Sequence, residues 1–265
     1  MDLEVIIPAY NCKNTLKRTL DSLVAQTNSD FTVLLVDDCS TQDICAIVNS
    51  YVDRLSIRYV RNSKNVGCGM TRQRGMDETK ADYITFLDAD DILLPNAIAT
   101  WLQEIQRTEP EVIYSPFFFV TKDRITVRQD GFFMCHGKVY NVDFLRKYDI
   151  CESQQVLCID DAYLNWQAFD LAQSIVLMRE PTHLQIDTSG SITHSIKFLR
   201  NVFFDSLRAQ RLACEKISRF KENPLKNFYV ISSRVRAMLK EEESNHKLLM
   251  DQIWNGMFRN TNNPN

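Results

Sequence analysis

The sequence predicts an α/β protein, with a mostly parallel central sheet flanked by helices and a helical C-terminal extension. Three observations carry this. Over roughly the first 110 residues, short apolar runs alternate with stretches of helical period. Those apolar runs end abruptly in polar clusters, the pattern of strands reaching the carboxyl edge of an open parallel sheet, where ligands bind. From about residue 196 the chain turns charged and helix-rich.

Taken in order, residues 3–7 form an apolar run that Pro8 should end. Residues 13–25 come next, with Leu16, Leu20, Leu23 and Val24 at helical spacing. Residues 31–36 make the second strand, stopped by Asp37-Asp38. Ile44, Ile47 and Val48 mark a second helix, and residues 57–60 a third strand. A helix over 70–79 and a strand over 83–87, stopped by Asp88, come after it. Residues 95–107 read as a helix with Pro95 in its first turn. The middle, 111–195, is less regular, with strand-like runs at 112–114 and 175–178 and a helix over 141–147. In the C-terminal part, Phe198, Leu199, Val202 and Phe203 fit an apolar helix face, and Pro224 should split the region in two. The expected divisions are a first half at 1–110, a second half of the same domain at 111–195, and a helical region at 196–265.

Composition narrows the function classes. The chain has 265 residues, 45% hydrophobic and 25% charged, with a formal net charge of -3. It lacks the basic footprint of a nucleic-acid binder. No apolar run approaches the roughly 18 residues of a membrane span, and the acidic start Met1-Asp2-Leu3-Glu4 is unlike a secretory signal. A cytoplasmic protein is expected, so the eight scattered cysteines, with no Cys-x-x-Cys pair, read as free thiols.

Four constellations carry chemistry. Asp88 and Asp90 bracket Ala89 at a strand end. Such paired carboxylates suit a hard cation whose shell a diphosphate completes, or they cap the following helix. Asp37 and Asp38 occupy the same place on the second strand, as turn residues or as acceptors for a base N–H. The segment from Asn65 to Arg72 has glycines that allow close backbone approach, yet it lacks the Gly-Lys-Ser/Thr of a Walker loop. Asp160-Asp161 precede a helix with Tyr163, Leu164 and Trp166, as capping acids or as a general base.

Together these motifs resemble family 2 glycosyltransferases, inverting enzymes of the GT-A nucleotide-diphospho-sugar transferase fold. The resemblance lies in Val5-Ile6-Ile7-Pro8-Ala9-Tyr10-Asn11, Leu23-Val24-Ala25-Gln26-Thr27, Val36-Asp37-Asp38-Cys39-Ser40, Asn65-Val66-Gly67 through Arg72 to Gly75, and Phe86-Leu87-Asp88-Ala89-Asp90-Asp91. Gly137-Lys138-Val139-Tyr140, Phe144-Leu145 and Asp160-Asp161 extend it to about residue 195. It implies that Pro8, Ala9, Tyr10, Asp38 and Arg72 hold the nucleoside of a donor, with UDP the first choice. It further implies Asp88 and Ala89 near the ribose and sugar, Asp90 on a manganese or magnesium ion, His194 at the diphosphate or metal, and Asp161 as the base. Two positions depart from the family pattern: Gln73 stands where Asn is common, and Asp160 is shorter than the usual Glu.

The implied reaction is transfer of a hexosyl or N-acetylhexosaminyl group, with inversion, to a saccharide or lipid-linked acceptor in cell-surface polysaccharide or glycolipid synthesis. A non-catalytic nucleotide-sugar or glycan binding module on the same fold is the alternative; the presence of Asp38, Asp88, Asp90 and Asp161 counts against it. A nucleotidyltransferase would want a Gly-rich basic loop where Pro8-Ala9-Tyr10-Asn11 stands. The basic run Arg200, Arg208, Arg211, Lys216, Arg219 and Lys221 reads as a solvated face, a dimer contact or a peripheral membrane contact.

Overall fold

The computed structural model describes residues 1–128, 133–156, 159–187 and 196–226, the side chains of 196–204 excepted. The elements run β1 (Leu3–Ala9), α1 (Leu16–Val24), β2 (Thr32–Asp37), α2 (Cys45–Asn49), β3 (Ile57–Arg61), α3 (Cys68–Glu78), β4 (Tyr83–Phe86), β5 (Ile92–Leu93) and α4 (Ala97–Thr108). After α4 come β6 (Val112–Tyr114), β7 (Phe117–Val120), β8 (Ile125–Arg128), β9 (Lys138–Asn141), α5 (Val142–Lys147), α6 (Asp160–Leu171), β10 (Ile175–Leu177), β11 (His183–Ile186) and α7 (Ile196–Ile217).

The main sheet has seven strands in the order β10-β6-β9-β4-β1-β2-β3. All neighbours are parallel except β9, which runs antiparallel to both β4 and β6. Alternate residues of the central strands feed two separate cores. Ile6, Leu34, Val36, Ile84 and Phe86 pack on one face with residues of α5, α6 and α7. Val5, Ile7, Val33 and Leu35 pack on the other with α1 and α4, including Trp101. A sheet buried on both faces explains why these strands read as unbroken apolar runs. A second sheet, β5-β11-β7-β8, has its own small core of Phe118, Val120, Ile125 and Leu184.

Several expectations shift. Pro8 does not end β1, which continues to Ala9 and stays in register with β2 (Pro8↔Val36, Ala9↔Asp37). The absent proline N–H faces the β4 side, where pairing has already stopped at Ile6↔Phe86, so no ladder bond is lost. Pro95 lies outside α4, which starts at Ala97; the Pro95 carbonyl accepts instead from Thr27 N–H at 2.8 Å. Helix α1 starts at Leu16, after a turn in which the Cys12 carbonyl accepts from both Thr15 and Leu16. The strands β5, β7, β8, β9 and β11 carry no periodic signal long enough to announce them. α7 is more than an appendage: its Ala209, Ala213 and Ile217 are fully buried in the core that holds α6, small residues letting the two helices approach closely. It ends before Pro224, and positions 227–265 lie outside the described residues.

α6 is buried from Ala162 to Leu171. Its polar side chains are therefore matched. Asn165 accepts from Tyr140 Oη at 2.9 Å, Gln167 donates to the Cys151 carbonyl at 2.9 Å, and Asp170 pairs with Lys221 at 2.7 Å. Among the described residues no helix is long and apolar enough to cross a membrane. Seven cysteines are free thiols; the eighth, Cys158, lies outside the described residues.

Candidate functional site

The strand order reverses direction at β1, with β2 on one side and β4 on the other. The polar ends of these three parallel strands, carrying Tyr10, Asp38 and Asp88, therefore meet at one edge of the sheet. That is the switch point at which open α/β sheets bind ligands. Pro8 and Ala9 are buried at the end of β1, and Tyr10 emerges from it with 51% of its surface exposed.

The β2 end is organised by its two aspartates. Asp37, fully buried, accepts from Ser40 N–H at 2.8 Å, from Tyr59 Oη at 2.6 Å and from Arg61 at 2.6 Å. Burial opposes its ionisation, but these bonds win and hold its carboxyl below the usual range. Asp38 accepts from Asn62 Nδ2 and Val66 N–H, both at 2.8 Å, on one oxygen and from Gly67 N–H at 2.9 Å on the other. It shapes the 65–67 turn and retains one acceptor position on Oδ2.

Arg72 is the hub. Projecting from α3 and only 4% exposed, it pairs with Asp88 at 3.3 Å, with Asp160 at 3.0 Å and with Asp161 through a still shorter contact. Three carboxylates from the β4 end and the α6 N-terminus converge on one guanidinium. The close approach of α3 to α6 depends on Gly69, where a Cβ would lie 2.8 Å from the Asp160 Cβ. The two acids then diverge electrostatically. Burial raises Asp160 to about 6, against the pull of Arg72. Asp161 is half-buried, and burial opposes its ionisation as well, yet Arg72, His136 and the Cys135 N–H hold it below the ordinary carboxylate value. Asp161 is thus an anion at neutral pH, seated in the positive first turn of α6.

Behind Asp88 lies a residue pair that the sequence did not single out. His136 Nε2 sits 2.8 Å from Asp91 and 3.6 Å from Asp88, and Asp91 also accepts from Ile186 N–H at 2.8 Å. Burial raises Asp91 to about 6; burial alone would lower His136, but the Asp91 hydrogen bond and charge raise it. Lys138, wholly buried, points its ammonium at the carbonyls of Met134 and, at 3.2 Å, His136. Burial pulls it down to about 7. It props the turn whose Cys135 N–H donates to Asp161 at 3.0 Å. That turn needs Gly137, whose φ is +70° and whose added Cβ would lie 2.1 Å from the Ser115 carbonyl oxygen. Only the Gly137-Lys138 motif hinted at this loop. His136 and Asn165 have no spacing signal of their own.

A metal can be weighed on these atoms. Asp88, Asp91 and His136 each offer one ligand atom within 4.8 Å of the others. Asp91 and His136 already satisfy each other, whereas Asp88 is 31% exposed and Asp90 is half-buried. The oxygen donors of Asp88 and Asp90 suit a hard cation. α1 fixes their backbone: Arg18 donates to the Asp90 carbonyl, and Thr19 to the Asp91 carbonyl at 2.8 Å. His194 lies outside the described residues.

Known proteins resemble this chain in sequence and fold. The model of glycosyl transferase family 2 matches residues 4–162. The amylovoran biosynthesis glycosyltransferase AmsB of Erwinia amylovora is 26% identical over 236 residues, covering 88% of this chain and 71% of AmsB. WfaP of Escherichia coli, a UDP-Glc:alpha-D-GlcNAc-diphosphoundecaprenol beta-1,3-glucosyltransferase, is 31% identical over 121 residues, or 46% of this chain and 47% of WfaP. An uncharacterized glycosyltransferase of Haemophilus influenzae is 36% identical over 116 residues, 43% of this chain and 38% of that protein. The match thus spans less than half the length of the last two relatives. The crystal structure of Staphylococcus aureus TarS 1-349 in complex with UDP superposes with a TM-score of 0.72 at 18% identity, covering 91% of this chain and 71% of TarS 1-349. Its complex with UDP-GlcNAc gives 0.67 over 83% and 74%. The fold is therefore the expected GT-A type, and with the family model matching more than half its length, the chain belongs to glycosyltransferase family 2.

Proposed function

We propose that this protein transfers a sugar, with inversion, from a UDP-sugar to a saccharide or lipid-linked saccharide hydroxyl in polysaccharide or glycolipid synthesis. The observation that carries it is the Arg72 hub. It ties Asp88, at the nucleotide end of the sheet, to Asp161, an ionised carboxylate at the head of α6. The donor site and a general base are thereby locked into one frame.

In this reading the exposed Tyr10 ring lies against the uracil, whose N–H reaches the remaining acceptor position of Asp38. Pro8 and Ala9 floor that pocket, and Asp88 and Ala89 border the ribose and sugar. Asp161 takes the proton of the acceptor hydroxyl as its oxygen bonds to the anomeric carbon. The bond from that carbon to the phosphate oxygen breaks, and UDP leaves with the electron pair. Such help from a base is worth roughly 10²- to 10⁴-fold. Asp88 and Asp90 would hold a magnesium or manganese ion, which when bound supplies positive charge to the diphosphate. UDP-bound TarS and the UDP-glucose named for WfaP support the donor class.

Calorimetric titration of UDP with and without manganese tests the binding half of this reading. Metal-assisted UDP binding, weakened in Asp90→Ala, is the expected result. No heat with UDP, and none with GDP or dTDP, would sink it.

A further inference from the structure

One buried acid remains outside this mechanism. Glu152 is 5% exposed, and neither of its carboxylate oxygens has a hydrogen-bond partner among the described residues. A buried carboxyl left in this state destabilises a fold, so natural structures seldom keep one without a use for it. Its surroundings locate it. The charges that act on it most are those of Asp160, Arg72 and Asp161, and it in turn is felt by Cys135, Tyr140 and Tyr163. Glu152 is therefore near enough to the base and to Arg72 to feel the charge of both, and its backbone is joined to α3 beside Arg72.

The backbone around Glu152 is held from three directions. Its N–H donates to Gln73 Oε1 at 2.8 Å, from the α3 residue next to Arg72. The preceding Cys151 exchanges hydrogen bonds with Gln167 of α6, by its N–H at 3.4 Å and its carbonyl at 2.9 Å. Lys216 of α7 reaches both Cys151 Sγ, at 2.9 Å, and Asp149, at 3.0 Å. So much bracing for a segment that ends in an unsatisfied acid fits preorganisation for a ligand. The two residues that depart from the family motif both act on Glu152: Gln73 anchors its backbone, and the charge of the short Asp160 is felt by its carboxyl.

We propose that Glu152 is a sugar-binding residue of the transfer site, its carboxyl hydrogen-bonding a hydroxyl of the saccharide held beside Asp160 and Asp161. The inference rests on the glycosyltransferase reading and adds a recognition contact to it. A carboxyl flanked by a second acid and a guanidinium suits a polyhydroxylated ring, since it can accept or donate as the hydroxyl requires. That hydroxyl belongs either to the donor sugar or to the acceptor sugar.

The test compares wild type, Glu152→Gln and Glu152→Met. Calorimetry measures binding of UDP, UDP-glucose and UDP-GlcNAc; turnover is measured as UDP release, alone and with a panel of mono- and disaccharide glycosides as acceptors. The expected result is unchanged UDP affinity together with a loss of about 10-fold or more, in Glu152→Met, in one saccharide-dependent quantity. Weaker UDP-sugar binding assigns the contact to the donor sugar. Unchanged UDP-sugar binding with a raised acceptor KM assigns it to the acceptor. Relieved of its buried acid, Glu152→Met should melt about 2–4 °C higher than wild type. Wild-type kinetics in both variants would overturn the inference, as would a lowered Tm with loss of UDP and sugar binding alike. If wild type itself neither binds nor turns over any donor, the glycosyltransferase reading fails and this inference with it.

Discussion

At the residue scale the site rests on how one guanidinium is shared. Arg72 neutralises acids that would otherwise repel one another in a buried space, so removing it leaves charges without a counter-ion. Arg72→Met is expected to cost about 3–5 kcal/mol, read as a Tm lower by roughly 10 °C, along with loss of turnover. A melt within about 2 °C of wild type would show that the hub does not hold the site together. The titrations at the hub have a definite sign. Asp160 and Asp91 are raised to about 6 from an ordinary 3.8, so between those values the folded chain keeps protons that the unfolded chain has lost. Their stabilisation is full at acid pH and is lost as pH rises through 6; the raised His136 adds to the same trend as pH rises through its folded value. Asp161, being lowered, contributes in the opposite sense, and only in strong acid. Between pH 5 and 8 these groups pull the Tm down, while the lowered His183 and Lys138 act in the opposite sense; Asp160→Asn is therefore expected to shift the Tm difference between pH 5 and pH 8 by about 2–4 °C in favour of the higher pH. Identical slopes in the two proteins would contradict the assignment.

At the element scale, the site depends on two close approaches that only glycine permits. Gly69 lets the start of α3 meet the start of α6, and Gly137 turns the chain into β9 behind His136. Gly69→Ala is expected to shift Asp160, cost about 1–3 kcal/mol and reduce turnover far more than UDP affinity, because the proposed nucleotide site is at the other end of the hub. Equal losses in both would mean that α6 does not carry the chemistry. The elements also show what could be read in the sequence. The parallel strands β1, β2 and β4 declare themselves because both faces are buried and their apolar runs stop at Tyr10, Asp37 and Asp88. β9 escaped notice because its Lys138-Val139-Tyr140-Asn141 is short and mixes a buried lysine with apolar residues. β5, β8 and β11 are two to four residues long, too short for a period to emerge. Pro8 misled in a different way: a proline stops a strand only when its missing N–H faces a partner, and facing is decided by register.

At the scale of the whole molecule, the site lies where two sheets and three helices meet, and the sequence disclosed one wall of it more fully than the other. The wall proposed for the nucleotide is local. Asp38, Arg72, Asp88 and Asp90 all stand within the first 110 residues, each directly after a strand or early in a helix. The wall around Asp161 is assembled from distant pieces: Cys135 and Lys138 from the β9 loop, Asn165 from inside α6, Glu152 braced by α7. Nothing in local spacing links position 136 to position 91, or position 152 to position 73. Such partners arise from the tertiary fold, which is why the sequence motif points to Asp161 but not to the groups that hold it. α7 belongs to that wall through Lys216 and Arg208, which donates to the Gln155 carbonyl at 3.0 Å. Lys216→Met is expected to weaken turnover with little effect on UDP binding; kinetics equal to wild type would detach α7 from function.

The most direct measurement is UDP release from UDP-glucose and UDP-GlcNAc with manganese, in wild type, Asp161→Asn and EDTA-treated protein, alongside UDP affinity by calorimetry. Wild type is expected to turn over one of these donors, and EDTA to suppress that turnover. Asp161→Asn is expected to lose about 10²-fold or more, with a UDP affinity that stays within a few-fold of wild type. Undiminished turnover in Asp161→Asn would remove the general base and contradict the central claim.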